Sequence, residues 1–202
     1  MEEIVKEIEK EKTENTKKTS MDLYDWIQCI VSAIIFCILI FVFVGRTIGV
    51  DGRSMEKTLK DTDRVIMRSL FYTPKNGDII VFQSTSVERF RNIPLVKRVI
   101  AIEGQTVDIN TNTSEVFVDG VLLDEPYTYT LTTNRHDFEG PITVKEGHVF
   151  VMGDNRASST DSRSADVGEV DTRYILGKVL FILIPGETPN EARDWSRFGV
   201  VR

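Results

Sequence analysis

Residues 26–44 carry no charge. Their 19 residues, at about 1.5 Å each, reach roughly 28 Å as a helix, close to the hydrocarbon core of a bilayer. No other feature constrains the chain more. In lipid such a run has to be helical, and whatever follows it has to fold in water. Tyr24 and Trp26 stand at its start, where amphipathic rings favour the interface, and Arg46 and Asp51 lie beyond its end. The run is too long for the apolar core of a cleavable signal, and no small-residue cleavage site is evident. It reads as a permanent anchor over 26–45, after a charged tail over 1–25 and before a folded domain over 46–202.

The tail is rich in lysine and glutamate with almost no large apolar groups, so it cannot bury enough surface to fold alone. It reads as a solvated charge run rather than a binding segment. Lys6, Lys10, Lys12, Lys17 and Lys18 precede the span, and Arg46, Arg53, Lys57, Lys60 and Arg64 follow it. Charge therefore does not decide orientation. The net charge of −6 gives no reason to expect nucleic acid as a partner. Both cysteines, Cys29 and Cys37, lie inside the apolar run, so the domain after it has no disulfide. They read as small apolar residues, not metal ligands.

Beyond Val50 the pattern is strand-like. Short apolar or alternating runs occur at 65–67, 78–82, 96–102, 106–109, 148–152 and 175–184. Residues 116–123 form a hairpin around Asp119-Gly120, a pair that accepts positive φ at both positions. No sustained 3.6-residue period follows residue 60. The expected class is mainly β, closed or folded over to protect its edges, with one N-terminal transmembrane helix. Residues 124–142 and 155–173 read as long loops, which in a compact domain usually serve function.

Two residues carry the chemistry. Lys97 sits in Leu95-Val96-Lys97-Arg98-Val99-Ile100, an otherwise oily strand. A free lysine has a pKa of about 10.4, so roughly one in 2,500 is neutral at pH 7. Lowering it to about 7–8 takes roughly 3–5 kcal/mol of desolvation or like-charge repulsion. A neutral lysine is a base, and beside a serine hydroxyl it makes a nucleophile. Arg98 points to the opposite face, stays protonated, and if buried needs a carboxylate. Both faces of the strand are apolar, so alternation does not choose between the two; chemistry chooses Lys97. The serine is Ser54, in Gly52-Arg53-Ser54-Met55, just past the anchor. A Ser-His-Asp site would need His136 or His148, and both read as incidental. A second polar cluster, Gly153-Asp154-Asn155-Arg156 through Ser159, Asp161, Ser162 and Arg163, follows an apolar strand. Such a loop suits groups that orient a base.

Taken in order, these segments resemble the type I signal peptidase family in its single-anchor bacterial form. The blocks are the anchor, Gly52-Arg53-Ser54-Met55 with Thr58-Leu59, Gly77-Asp78-Ile79-Ile80-Val81-Phe82, Val96-Lys97-Arg98-Val99-Ile100 with Gly104, and Gly153 through Arg163. By that resemblance Ser54 matches the nucleophile and Lys97 the general base. Ser159 matches a hydroxyl that helps hold the lysine amine. Asp161 and Arg163 match groups that fix the loop carrying it, and Met55 packs beside the nucleophile. Arg98 and Asp154 match charged positions of the family, and their pairing is expected from a buried arginine's need for a carboxylate. The resemblance implies a β-rich catalytic core on the outer face of the bacterial membrane, with the tail in the cytoplasm. It implies cleavage of exported preproteins that carry small residues at positions −1 and −3. No cofactor or metal is implied.

Two positions depart from the pattern. Lys57 replaces a common proline, which loosens the loop after the nucleophile. Gly52 stands where some members carry a serine that donates to the oxyanion, leaving the Ser54 N–H as the chief donor; many members have glycine there. Rival readings are a self-cleaving Ser-Lys repressor-type protease, which the tail and span oppose, and a non-catalytic membrane-tethered β domain, including a decayed peptidase, which the presence of both Ser54 and Lys97 opposes.

Overall fold

The structure is a computed structural model that describes residues 23–39, 45–84, 93–187 and 192–201. The chain divides into two compact units, residues 1–44 and 45–202.

The described part of the first unit is one helix, residues 23–39, which takes in Leu23, Tyr24 and Asp25 from the end of the expected tail. It contains neither glycine nor proline, and its apolar side chains are exposed all round, among them Trp26, Ile30 and Phe36. Among the described residues no helix is long and apolar enough to cross a membrane. Residues 40–44 of the expected span, and residues 1–22 of the tail, lie outside the described residues.

The second unit is built of strands: β1 (Arg46–Gly49), β2 (Arg64–Arg68), β3 (Ile79–Gln83), β4 (Pro94–Ile102), β5 (Thr106–Asn110), β6 (Glu115–Val118), β7 (Val121–Leu122), β8 (Ile142–Thr143), β9 (His148–Met152), β10 (Val170–Asp171), β11 (Ile175–Ile184) and β12 (Gly199–Val200). The larger sheet runs β1-β2-β11-β3-β4-β9-β10, with β12 on β11; the smaller runs β7-β6-β5-β8. All named pairings are antiparallel. The mainly β class read from the sequence is what forms. The six expected runs are strands, and β6 and β7 close on Asp119 and Gly120 at φ +52° and +77°. The sequence reading did not contain β1, β8, β10 or β12.

Three apolar clusters hold the sheets. Ile100, Phe150 and Met152 of the larger sheet meet Val107, Ile109 and Val116 of the smaller, and Phe138 packs edge-on against Phe150 at 5.8 Å. Met55 and Leu59 join Val65, Ile79, Val81 and Val179 on another face, while Phe82, Val99 and Val151 centre the third. From residue 95 to residue 102, β4 is half-buried or buried throughout. A strand covered on both sides is continuously apolar, so its two polar residues have to find partners inside.

Candidate active site

Ser54 occupies the turn between β1 and β2. Gly52 has φ +91°, a conformation that side chains rarely adopt, and its N–H donates to Asp61 Oδ1 at 2.8 Å. Met55 and Leu59 are essentially unexposed, and the Leu59 N–H donates to the Met55 carbonyl at 2.8 Å. Two apolar side chains thus fasten the serine loop to the core, and truncating either to alanine costs about 2–5 kcal/mol. The peptide groups on either side of Ser54 are held from outside. Asn155 N–H donates to the Ser54 carbonyl at 3.0 Å, and Asn155 Nδ2 to the Arg53 carbonyl at 3.1 Å.

Lys97, on β4 opposite Ile80 of β3, is 3% exposed. Its Nζ lies 2.7 Å from Ser54 Oγ and donates to the Val96 carbonyl at 3.1 Å. No carboxylate forms an ion pair with it among the described residues. Burial pulls its pKa down from 10.5 to about 8, with the Asp161 and Asp154 charges opposing that and the Arg163 charge adding to it. At pH 7 about one molecule in ten then carries a neutral amine in contact with the hydroxyl.

Arg98, the next residue, takes the other course. It forms two parallel bonds of 2.8 Å to Asp154, with the guanidinium 3% and the carboxylate 0% exposed. It also donates to the Gly77 carbonyl at 2.8 Å and lies over the Tyr127 ring at 3.9 Å. Burial, and then the Glu125 carboxylate, raise the Tyr127 phenol, which keeps it neutral beneath the arginine. Thr58 Oγ1 donates to Asp154 Oδ2.

The loop after β9 closes the site. At Gly153 a Cβ would collide with the Ser159 side chain and the Ser54 carbonyl, so only glycine lets these two loops approach this closely. Asp161, fully buried, accepts from Arg163 at 2.8 and 2.9 Å and from the Gly153 N–H at 2.9 Å. Burial alone would raise its pKa, but the guanidinium and the N–H override that and hold the carboxyl below its usual range. Arg163 also donates to the carbonyls of Asn134 and Arg156. Ser159 is buried and close enough to Asp161 to favour its charge, yet its hydroxyl meets no partner in bonding geometry. The structure contains no hydrogen bond between Ser159 and Lys97.

Residues 124–142 have a place that the sequence did not disclose. They strap the back of the Gly153–Arg163 loop. Buried Arg156 pairs with Glu125 and donates to Thr132 Oγ1 at 2.7 Å. Tyr129 N–H donates to the Asp154 carbonyl, Thr130 Oγ1 to Asn155 Oδ1, and Asp137 N–H to the Arg163 carbonyl. Arg156 and Asn155 were visible as polar residues of the loop; their partners, 24 to 31 residues earlier, were not.

The remaining titratable candidates stand apart from this constellation. His148 Nδ1 is 2.8 Å from the Glu146 carbonyl, and His136 is an exposed loop residue at φ +51°. Among the described residues no cluster of His, Cys, Asp and Glu could hold a metal ion. Cys29 and Cys37 are free and exposed on the N-terminal helix.

A buried lysine in contact with a serine hydroxyl, beside a buried Arg98–Asp154 pair and apart from both histidines, marks the site of this mainly β domain. The chain belongs to the signal peptidase family, peptidase S26, whose family model matches residues 23–184. It is 33% identical over 188 residues to a signal peptidase I of Bacillus licheniformis, covering 87% of this chain and 94% of that one. It is 35% identical over 191 residues to one of Bacillus amyloliquefaciens, covering 88% and 94%. A crystal structure of a signal peptidase I from Enterococcus faecalis V583 is 29% identical, with a TM-score of 0.41, and the match covers 53% of this chain and 97% of that one.

Proposed function

We propose that this protein is a membrane-anchored endopeptidase that removes N-terminal signal peptides from exported preproteins through a Ser54–Lys97 dyad. Neutral Lys97 takes the Ser54 proton as Oγ attacks the scissile carbonyl. The oxyanion forms against the Ser54 N–H, the lysinium protonates the leaving amine, and an acyl-enzyme remains. Lysine then activates a water that releases the signal peptide. Arg98, Asp154, Asp161, Arg163 and Ser159 position these groups, and Met55 packs beside the nucleophile.

The observation that most supports this reading is the 2.7 Å separation of Nζ and Oγ around an amine whose pKa is about 8. The relatives' name, signal peptidase I, points to the substrate class. The substrate lies extended beside a strand of the site, adding main-chain hydrogen bonds. Shallow apolar pockets near Ser54 and before Lys97 take small side chains at −1 and −3. Residues 26–45 span the bacterial cell membrane once, with the domain on the outer face. They hold the site at the depth where cleavage sites emerge and so raise local substrate concentration.

Cleavage of a preprotein by the full chain, compared with Ser54→Ala and Lys97→Ala, tests the dyad. Both variants should lose at least about 10³-fold in rate. In the parent, kcat/KM should fall tenfold per pH unit below a midpoint near 8, because only the free amine is a base. Full activity in either variant would refute the dyad, and a parent chain that cleaves no preprotein would leave the non-catalytic alternative.

A further inference from the structure

We propose that Thr130, acting through Asn155, is a positioning residue that aims the Ser54 N–H at the oxyanion. The inference rests on the Ser54–Lys97 reading above and assigns to the strap over residues 124–142 a part in the reaction.

In a planar trans peptide the C=O and N–H point in opposite directions. The Arg53–Ser54 peptide is trans, so the direction of the Arg53 carbonyl sets the direction of the Ser54 N–H. That carbonyl accepts from Asn155 Nδ2 at 3.1 Å. On the other side of the serine, the Ser54 carbonyl accepts from the Asn155 backbone N–H at 3.0 Å. One residue therefore holds both peptide planes that flank the nucleophile. Gly52 has no side chain to donate, and its own N–H is taken by Asp61. The Ser54 N–H is then the donor whose aim matters most.

Asn155 can do this in only one of its two side-chain orientations. A carboxamide has a donor end and an acceptor end. With Nδ2 toward the Arg53 carbonyl the contact is attractive; flipped by 180°, it opposes two oxygens. The Glu56 carboxylate, with Oε2 3.5 Å from Nδ2, favours the same orientation, and Thr130 holds the other end. Its hydroxyl donates to Asn155 Oδ1 at 3.1 Å and accepts from the Ala157 N–H at 2.9 Å. Because the Ala157 N–H occupies a lone pair, the hydroxyl hydrogen is left free to point at Oδ1. The backbones of Thr130 and Asn155 also form a parallel bridge, which keeps the two side chains in register. The relay runs from Ala157 N–H through Thr130 Oγ1 and Asn155 to the two carbonyls about the nucleophile. Nothing in it touches Lys97, so it should change the rate of the chemical step without moving the titration of the base.

The test is steady-state cleavage of a preprotein by the full chain carrying Thr130→Val, Thr130→Ser, Asn155→Asp and, as a reference, Ser54→Ala. Thr130→Val keeps the shape and removes the hydroxyl; Thr130→Ser keeps the hydroxyl. A fully lost oxyanion donor lowers kcat by about 10²- to 10³-fold, so a misaimed one should lower it by about 10-fold in Thr130→Val. KM should stay within about twofold, and the midpoint of the pH profile should not move. Thr130→Ser should retain parental kcat. Asn155→Asp, which sets a carboxylate oxygen against the Arg53 carbonyl, should lose more, on the order of 10²-fold. The proposal is overturned if Thr130→Val keeps its kcat, if the loss appears in KM instead, if the midpoint shifts, or if Thr130→Ser loses as much as Thr130→Val. An inactive Ser54→Ala beside an unimpaired Thr130→Val rejects the relay alone. Activity in Ser54→Ala rejects the dyad on which it rests.

Discussion

Lys97 and Arg98 are adjacent on β4, equally buried at 3% exposure, and both are cations in ordinary peptides. The sheet treats them in opposite ways. Arg98 is met by a carboxylate, a carbonyl and an aromatic face, so its charge is neutralised where it lies. Lys97 is met by a hydroxyl and one carbonyl, and its amine is driven toward the uncharged form. Arginine does not release its proton in proteins, so burying it demands a partner; lysine can release its proton, so burying it without one creates a base. A one-residue step along a strand separates a paired cation from an unpaired one, because consecutive side chains leave on opposite faces.

The largest effect should come from breaking the paired side. Arg98→Met leaves Asp154 buried with no counter-charge, and removing one member of a buried pair costs about 3–5 kcal/mol. We expect that loss in the denaturant midpoint of the full chain in detergent, without a change in slope. A loss below about 1 kcal/mol would mean that the pair is not what makes Arg98 tolerable.

The unpaired side should respond with the opposite sign. The Lys97 pKa is about 8 in the folded protein against 10.5 when free. Below pH 8 both states carry the proton, and the native state bears the full cost of a buried charge, about 3 kcal/mol from the size of the shift. Between 8 and 10.5 only the unfolded state holds the proton, so native stability rises with pH across that window. Above it the cost is gone. Lys97→Met should therefore be inactive yet more stable at pH 7, by up to about 3 kcal/mol, with the gain shrinking toward zero by pH 10.5. A destabilised Lys97→Met at pH 7 would show that the amine is held by contacts stronger than its burial.

This asymmetry also explains what the sequence could disclose. The long strands and the Asp119-Gly120 hairpin were legible because each is written in consecutive residues. Strands β8, β10 and β12 are two residues long, which is too short to carry a period, and they exist only because a longer neighbour pairs with them. Ser54, Asp154, Asp161 and Arg163 lie in polar segments and were legible through the family resemblance of their blocks, whereas Lys97 and Arg98 were legible as charges in an apolar strand. Which face each takes was not, because β4 is buried on both sides and its register shifts between Val99 and Ala101. The strap was illegible for another reason. Glu125, Thr130 and Asn134 are ordinary polar loop residues, and only the folded chain sets them against Arg156, Asn155 and Arg163.

Thr58 offers the finest cut between the two faces. Its hydroxyl donates to Asp154 Oδ2 and lies 3.3 Å from the Arg98 guanidinium, so it belongs to the paired side although it sits four residues from Ser54. Thr58→Val removes one donor from a carboxylate that keeps both bonds to Arg98. The expected loss is about 1–2 kcal/mol, with Thr58→Ser close to parental. No charge changes, and Asp154 acts on Lys97 through its charge, so the pH midpoint of cleavage should stay where it is. If the midpoint of Thr58→Val moves, Asp154 shifts when its hydroxyl partner is lost. The two cations would then share one network, and the separation of roles along β4 would fail.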